Sequence, residues 1–467
     1  MKSRVWLSFA FLFVGMVLAL EACRQTETEP PLLVITGATL IDGTGAEAVA
    51  DSVVVIRGDR IAAAGPRSRV GVPEGARVLD ARGKWIIPGL VDAHVHFFQS
   101  GGLYTRPDVI DLRDRVPYEQ ELEQIRQRLP QTFRRYLCAG VTSVVDVGGP
   151  MWNFKVRDMA TRTEAAPRVA VAGPLVSMYS PEALQTDDPA IIRVQNPEEA
   201  RALVRHQVAE KPDLVKIWFI RLPDTKLEES LPLVEATIQE AHAHGVRVAV
   251  HATELETAKA AVRAGCDILV HGVDDEAVDH EFIQMVRDRG VIYTSSIVVF
   301  EGYDKVLGEK VSLTDIDLAC GDPAVITTWA ELAEVPEEKR LQRPDWVDRA
   351  IATVPVNLKR MQEAGGIVAV GTDAGNIGTL HGPAIHREFE LMAEAGLTPM
   401  EILLAATRNA ALVFSSDPEF GIIEPGKLAD LVILDADPLA DIRNARKINK
   451  VIKGGRVFDH ASLVLSF

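Results

Sequence analysis

Apolar runs rich in valine, isoleucine and leucine recur along the middle of the chain, and most are separated by segments with apolar residues at helical spacing. The strand candidates are LVDAHVHF, VTSVVDVGG, PRVAVAGPLVS, DLVKIWF, VRVAVHAT, CDILVHGV, VIYTSSIVV and GIVAVGTDAG. Nearly continuous apolar runs are typical of strands buried on both faces. Eight such runs alternating with helices predict an α/β fold with a (β/α)8 TIM-like barrel over residues 89–421. A doubly wound open sheet is the alternative, but no Gly-rich phosphate loop follows the first strand.

Both ends of the chain have a different pattern of short β-strands and turns. Residues 32–88 contain LLVITGATLIDGTG, in which Asp-Gly marks a turn, and residues 422–467 contain KLADLVILDADP and INKVIKGGRVFD. We therefore predict an accessory β-sandwich domain built from both ends. The polar segment 300–345 shows no clear strand. A segment of this kind is typical of a lid or binding loop, which we expect at the face of the barrel where the chemistry lies.

The chain opens with two basic residues followed by an uncharged apolar run, MKSRVWLSFAFLFVGMVLAL. This run is short for a membrane span and typical of a secretory signal, which we assign to residues 1–22. The following LEAC resembles a bacterial lipobox, which predicts that Cys23 carries the lipid anchor and that residues 23–31 form a tether. Plain signal cleavage and an uncleaved anchor are the alternatives. The expected location is the periplasmic side of the membrane.

Composition limits the partners rather than the fold. The 467 residues are 47% hydrophobic and 25% charged, with a net charge of −16 that argues against nucleic acid as a partner. Contact with the membrane is expected only through the lipid anchor, and a homo-oligomer remains open. The three cysteines beyond the N-terminal segment cannot all pair. The apolar surroundings of Cys138 and Cys266 predict small core residues.

Six candidate metal-ligand side chains lie at or near the C-terminal ends of predicted strands: His94, His96, Lys216, His251, His271 and Asp373. Singly, each has an ordinary structural interpretation, such as a core histidine, a lysine reaching solvent or a helix cap. Together they include four of the chain's 11 histidines. A lysine buried among valine, isoleucine and tryptophan is costly unless its charge is removed or paired. Carboxylation of its amine by CO2 would give an anionic carbamate that can bridge two metals.

The motifs PGLVDAHVH, VKIW, VAVHA, LVHG and VGTDAG stand in order, and GLTPMEILLAATRNAALVF and GIIEPGKLADLVILDADPL follow them. This series resembles the metal-dependent amidohydrolase superfamily, in particular its imidazolonepropionase-like and metal-dependent peptidase branch. The resemblance implies one metal bound by His94, His96 and Asp373, and a second bound by His251 and His271. A carboxylated Lys216 would bridge them. Two zinc ions suit these ligands, and other divalent metals are possible. A one-metal site, with His271 touching substrate or supporting a ligand, is the alternative.

The resemblance implies hydrolysis of a C–N amide bond, with a dipeptide or N-acyl amino acid as the expected substrate. A metal would activate hydroxide, and Asp373 would carry the proton to the leaving group. The alternatives are a cyclic amide or lactone hydrolase, a deaminase, and a non-catalytic binding lipoprotein. The sequence KIWFIRLPDTK departs from the small, Gly-rich loop that often follows this lysine in the peptidase branch. Arg221, His381 and Tyr104 are candidate substrate contacts, Arg221 because guanidinium binds carboxylates bidentately.

Overall fold

The computed structural model describes residues 32–221, 226–340 and 344–465. The predicted signal, the tether and Cys23 lie outside these ranges. Within them, no helix is both long and apolar enough to cross a bilayer.

Nineteen strands are present in the described residues. They are β1 (Leu32–Thr36), β2 (Thr39–Leu40), β3 (Ser52–Arg57), β4 (Arg60–Pro66), β5 (Arg77–Asp80), β6 (Trp85–Pro88), β7 (Leu90–Val95), β8 (Val141–Asp146), β9 (Arg168–Val171), β10 (Leu175–Ser177), β11 (Ile191–Arg193), β12 (Leu214–Trp218), β13 (Arg247–His251), β14 (Ile268–Val270), β15 (Ile292–Thr294), β16 (Ile367–Ala369), β17 (Leu431–Leu434), β18 (Ile448–Lys453) and β19 (Arg456–Asp459). Each of the eight predicted strand runs contains at least one of them.

The described α-helices fall mainly between the middle strands. They are α1 (Tyr118–Cys138), α2 (Phe154–Arg162), α3 (Pro197–Val208), α4 (Leu227–Ala243), α5 (Leu255–Ala264), α6 (His280–Asp288), α7 (Val298–Leu307), α8 (Asp315–Cys320), α9 (Pro323–Ala330), α10 (Asp345–Glu363), α11 (Ala384–Glu394), α12 (Pro399–Leu404), α13 (Ala410–Phe414) and α14 (His460–Leu463). A π-helical turn, Ala405–Asn409, joins α12 to α13.

Two parallel sheets form the centre of the chain. One has the order β7-β8-β9 and the other β11-β10-β12-β13-β14-β15-β16. Backbone hydrogen bonds also connect β7, the first strand of one sheet, to the segment that follows β16, the last strand of the other. Ala93 N donates to Val370 O over 2.9 Å, and Asp373 N donates to His94 O over 2.7 Å. Every residue of β7 and β8 is buried, which explains why their apolar residues do not alternate with exposed polar ones.

Strands from both chain ends share a sheet. Its order is β19-β18-β17-β6-β2, so three C-terminal strands pair with two from the N-terminal region. A second sheet, β4-β3-β1-β5, is N-terminal only. Buried side chains from one face of β1, β3, β6 and β17 pack into one apolar cluster, and those of the opposite face belong to other clusters, which accounts for the short apolar runs at the two ends.

The segment predicted as a long loop, residues 300–345, is largely helical in its described part, where it contains most of α7 and all of α8 and α9. It is also covalently attached, because Cys320 at the end of α8 forms a disulfide with Cys138 at the end of α1. Cys138 is a buried core residue, as predicted, with 1% of it exposed, but its disulfide was not predicted. Its partner lies 182 residues away, and the local apolar surroundings do not reveal it. Cys266 is buried and free, as predicted.

Candidate active site

The six candidate side chains lie at the C-terminal ends of the parallel strands. His94 belongs to β7, Lys216 to β12 and His251 to β13, and the others follow β7, β14 and β16. The Oδ1 atom of Asp373 lies 3.3 Å from Nε2 of His94 and 3.3 Å from Nε2 of His96. The His271 ring centroid lies 4.5 Å from that of His94 and 4.6 Å from that of His251. Residues separated by up to 279 positions are thus neighbours in space.

Two buried atoms in this cluster have the geometry of metal donors. His94 Nε2 and Asp373 Oδ1 face each other, yet neither forms a hydrogen bond within the described chain. Donor atoms of His94, His271 and Asp373 all lie within 4.8 Å of one another. Buried polar atoms are normally satisfied, so a cation between these atoms would resolve the deficit. The donor set of imidazole nitrogen and carboxylate oxygen fits a divalent transition metal.

Hydrogen bonding and burial keep the histidines in the form that binds metal. Nδ1 of His96 lies 2.7 Å from the Gly148 carbonyl, which only accepts, so Nδ1 carries the proton and the Nε2 lone pair faces Asp373. Burial lowers the pKa of His96 to about 3. Burial, with the positive charge of neighbouring groups, also holds the pKa of His94, His251 and His271 well below the usual range. Neutral imidazole is the ligating form.

Lys216 and Asp373 are the charged members of the site. Only 1% of Lys216 is exposed, and burial lowers the pKa of its amine, while Asp373 and Asp146 oppose that shift. Burial raises the pKa of Asp373, and Lys216 and Arg106 oppose that shift. An amine with a lowered pKa is more often unprotonated, which is the state that can react with CO2.

The backbone is strained at this site. Six non-glycine residues of the described chain have positive φ, and three of them, His271, Ser296 and Asp373, lie here with φ of 75°, 52° and 58°. Such conformations are costly and cluster at functional sites. Asp92 fixes Thr372, the residue before Asp373. Its carboxylate accepts hydrogen bonds from Thr372 N at 3.0 Å and from Thr372 Oγ1 at 2.6 Å.

Glu388 of α11 supports the second strained residue. Its buried carboxylate accepts hydrogen bonds from Ile297 N at 3.1 Å and Val298 N at 2.7 Å. These bonds hold the turn that carries Ser296, whose Oγ lies 3.3 Å from His94 Nδ1. Glu388 lies in the helical segment AIHREFELMAE, where a single glutamate gives no sequence signal of this role.

A cavity of about 390 Å³ opens beside the six residues, a size that accommodates a small molecule. Besides five of the six candidate residues, its lining has eleven aliphatic or aromatic and six polar or charged side chains. The apolar and aromatic ones are Phe98, Val109, Leu175, Leu184, Ile191, Trp218, Ile220, Val299, Phe300, Tyr303 and Trp346, and the polar ones are Gln99, Arg106, Thr253, Asp274, Arg349 and Asn376. Phe300, Tyr303 and Trp346 come from the segment of α7 to α10, so this segment contributes to the cavity, as predicted for a binding loop.

The structure does not bring the three predicted substrate contacts into the lining of this cavity. Arg221 is 41% exposed and pairs with Glu254 and Glu256 on the neighbouring connection. Both ring nitrogens of His381 are within bonding distance of other groups, Nδ1 at 2.7 Å from the Tyr136 hydroxyl and Nε2 at 2.8 Å from a backbone carbonyl. Tyr104 donates to Glu331. Each of these side chains is held by a protein partner outside the lining, so a role in contacting substrate stays a prediction for all three.

Arg106, which the sequence analysis missed, lines the cavity instead. Its guanidinium donates to both oxygens of Asp108, at 2.8 and 2.7 Å, and to Asn376 Oδ1 at 2.5 Å. The Tyr303 hydroxyl also donates to Asn376 Oδ1, at 2.9 Å. Asn376 in turn donates to the Asp373 carbonyl. The position of Arg106, ten residues after His96, could have suggested a role, but its partners come from distant segments.

Parallel strands with a buried histidine–carboxylate cluster at their C-terminal ends, beside a cavity, define an α/β enzyme with a candidate metal centre. A profile of the amidohydrolase family matches residues 85–458. The imidazolonepropionase of Symbiobacterium thermophilum is 26% identical over 431 residues, covering 88% of this chain and 91% of the relative.

Solved structures show the same fold. A putative prolidase from Bifidobacterium longum has a TM-score of 0.70 at 23% identity, covering 92% of this chain and 95% of that one. A Xaa-Pro dipeptidase with methionine bound in its active site has a TM-score of 0.69 at 25% identity, covering 92% and 100%.

The chain belongs to the amidohydrolase family. It is a hydrolase that acts on carbon–nitrogen bonds, which confirms the resemblance found in the sequence.

Proposed function

We propose that this protein hydrolyses the amide bond of a dipeptide or an N-acyl amino acid at a metal centre, with Asp373 carrying the proton. One observation carries the proposal. His94 Nε2 and Asp373 Oδ1 lie 3.3 Å apart, are buried, and have no hydrogen-bond partner in the described chain. Such a pair is costly in a metal-free core and favourable as two ligands of one ion.

The chain offers enough ligands for two ions. His94, His96 and Asp373 would hold the more buried one, and His251 and His271 the other. Lys216 would join them once carboxylated, and its buried amine with a lowered pKa supports that reaction. Zinc held there would act as a Lewis acid that activates water and polarises the substrate carbonyl.

Asp373 is the side chain best suited to move the proton. Its Oδ2 lies 3.7 Å from His271 Nε2, and the residue lines the cavity. Burial raises its pKa above the usual range, and a general base works best when its pKa approaches the operating pH. In this proposal Asp373 accepts the proton from the attacking water and donates it to the amine that leaves.

The relatives support two substrate classes. The similarity to a Xaa-Pro dipeptidase favours linear dipeptides, and the similarity to imidazolonepropionases favours the runner-up, a cyclic amide. The experiment is amine release from a panel of dipeptides and N-acyl amino acids, with zinc and bicarbonate present and metal content measured in parallel. Release that requires Asp373 supports the proposal. Two bound metals with no linear substrate cleaved would overturn it in favour of cyclic amides, lactones or deamination.

We also propose that the parallel strands of the two central sheets close into a (β/α)8 barrel spanning residues 89–421, with residues 32–88 and 422–467 forming the accessory β domain. The bonds of Ala93 and Asp373 across the two sheets support closure. Amide exchange would test closure, because both amides should be among the slowest to exchange. Rapid exchange of the pair would argue for an open sheet.

We propose that the protein is exported and anchored through Cys23. The Cys138–Cys320 disulfide supports this location, since disulfides persist outside the reducing cytoplasm. Palmitate labelling of the full chain tests the anchor. We expect label on the wild type and none on Cys23→Ser, and equal labelling would refute the anchor.

A further inference from the structure

The cavity beside the candidate metal centre has a composition that indicates which substrates fit it. We infer that this enzyme selects substrates with a bulky apolar side chain of the leucine or phenylalanine kind, and that Trp218 is the main residue enforcing this choice. The inference rests on the proposed amide hydrolysis and names its substrate class.

Trp218 stands next to the reacting centre. It is the last residue of β12 and lies two positions after Lys216, so both side chains project from the same face of the strand. Its indole centroid is 6.3 Å from the ring of His251, with the planes at 77°. Trp218 is only partly buried and lines the cavity. An apolar surface therefore begins directly at a candidate metal ligand.

A buried apolar cluster extends this surface. Trp218 packs against the group that contains Phe98, Leu175, Leu184 and Ile191, and all five side chains line the cavity. These four residues come from the loop after β7 and from the segment around β10 and β11. Several elements of the fold therefore build this apolar side of the cavity. A ligand that covers this apolar surface binds more favourably, because apolar surface is removed from water.

A second apolar surface begins at the other histidine. The Phe300 ring lies 6.5 Å from that of His271 and 6.0 Å from that of Trp346. Phe300 and Trp346 also line the cavity. Flat aromatic surfaces next to both His251 and His271 suit a large apolar group held close to the bond that is cleaved.

Apart from Lys216 and Asp373 of the candidate metal centre, the charged groups of the lining are already paired. Arg106 binds both oxygens of Asp108, and Arg349 lies 3.3 Å from Asp274. A charged substrate side chain would have to disrupt the largely buried Arg106–Asp108 pair or lie unpaired against the apolar part of the lining, and both are costly. The same cavity leaves the surface around Trp218 uncovered when the side chain is only a hydrogen atom or a methyl group.

The test compares matched dipeptides that carry leucine or phenylalanine, glycine, or lysine and glutamate in each position. We expect kcat/KM for the apolar substrates to exceed that for the others by about 10- to 100-fold. Trp218→Ala should remove most of that advantage, chiefly by raising KM for the apolar substrates. Trp218→Phe should restore much of it. Trp152→Phe is the matched control, because Trp152 packs on the same cluster without lining the cavity.

A binding measurement separates this inference from the proposed function. Calorimetry on zinc-loaded Asp373→Asn, which should not turn these ligands over, should show N-acetyl-phenylalanine binding at least about 10-fold more tightly than N-acetyl-glycine or N-acetyl-lysine, with the difference reduced when Trp218→Ala is added. That result supports the inference even if no dipeptide is cleaved, an outcome that would refute only the amidase proposal. Equal affinities for the three ligands, or discrimination unchanged in Trp218→Ala, would overturn the inference whether or not the enzyme is active.

Discussion

Replacing Glu388 should weaken metal binding although this residue is not itself a candidate ligand. Its carboxylate accepts from Ile297 N and Val298 N and thereby holds the turn that carries Ser296. The Ser296 hydroxyl contacts His94 Nδ1, the ring atom opposite the one that faces Asp373. Glu388 thus acts on the site only through the position of His94.

The size of the effect follows from the lost bonds. Glu388→Ala leaves two buried backbone N–H groups without their acceptor, at about 1–3 kcal/mol each, or about 2–6 kcal/mol of folding free energy in total. Glu388→Gln keeps one oxygen acceptor, so about half of that loss is expected. Removing a group that orients a metal-binding histidine typically lowers metal affinity about 10- to 100-fold.

The assay is competition for zinc against a chelator of known affinity, followed by thermal unfolding of the same samples. Glu394→Gln is the matched control, since Glu394 lies on the same helix, is 61% exposed and makes one surface ion pair with Arg387. We expect the control to match the wild type in both measurements. Zinc affinity and unfolding temperature unchanged in Glu388→Ala would refute the role of Glu388.

Three further predictions test the Cys138–Cys320 disulfide, the predicted substrate contact Arg221 and the buried carboxyl group of Asp146. The Cys138→Ser/Cys320→Ser variant should unfold at a temperature several degrees lower, because a crosslink over 182 residues is worth at most about 5 kcal/mol by the chain-entropy argument; equal melting curves would contradict this. Arg221→Ala should leave KM within about 2-fold, since the guanidinium pairs with two glutamates, and a large rise in KM would support it as a substrate contact. Burial raises the pKa of Asp146 to about 7, so the folded state keeps a proton that the unfolded chain releases near pH 4. In the metal-free protein, wild-type stability should therefore fall relative to Asp146→Asn as pH rises from about 4 to 7, and a constant difference between the two melting temperatures would be evidence against it.

The strands could be predicted from the sequence because burial on both faces requires a run of mostly apolar residues. The run VTSVVD is buried at all six positions and has valine at three of them, so it lacks the alternation with charged residues that a strand with one exposed face would show. Residues at the C-terminal ends of parallel strands also meet at one face, so His94, Lys216 and Asp373 could be grouped without knowing any distance.

Contacts between residues that are distant in the sequence could not be predicted from the sequence. Cys138 pairs with a residue 182 positions later, and nothing near either cysteine marks the other. Arg221 had the right chemistry for a carboxylate, but two glutamates beyond the next strand neutralise it. Arg106 was not singled out, because its partners Asn376 and Tyr303 come from distant segments and are known only from the fold.

The most direct test of the central claim is the turnover of an apolar dipeptide by wild type and by Asp373→Asn at equal zinc content. The variant keeps an oxygen at the same position but cannot accept the proton. The account predicts that Asp373→Asn retains much of the metal and loses about 100- to 10,000-fold in kcat. Comparable turnover by the two proteins would contradict the assignment of Asp373 as the proton carrier, and turnover by wild type stripped of metal would contradict the metal-dependent mechanism.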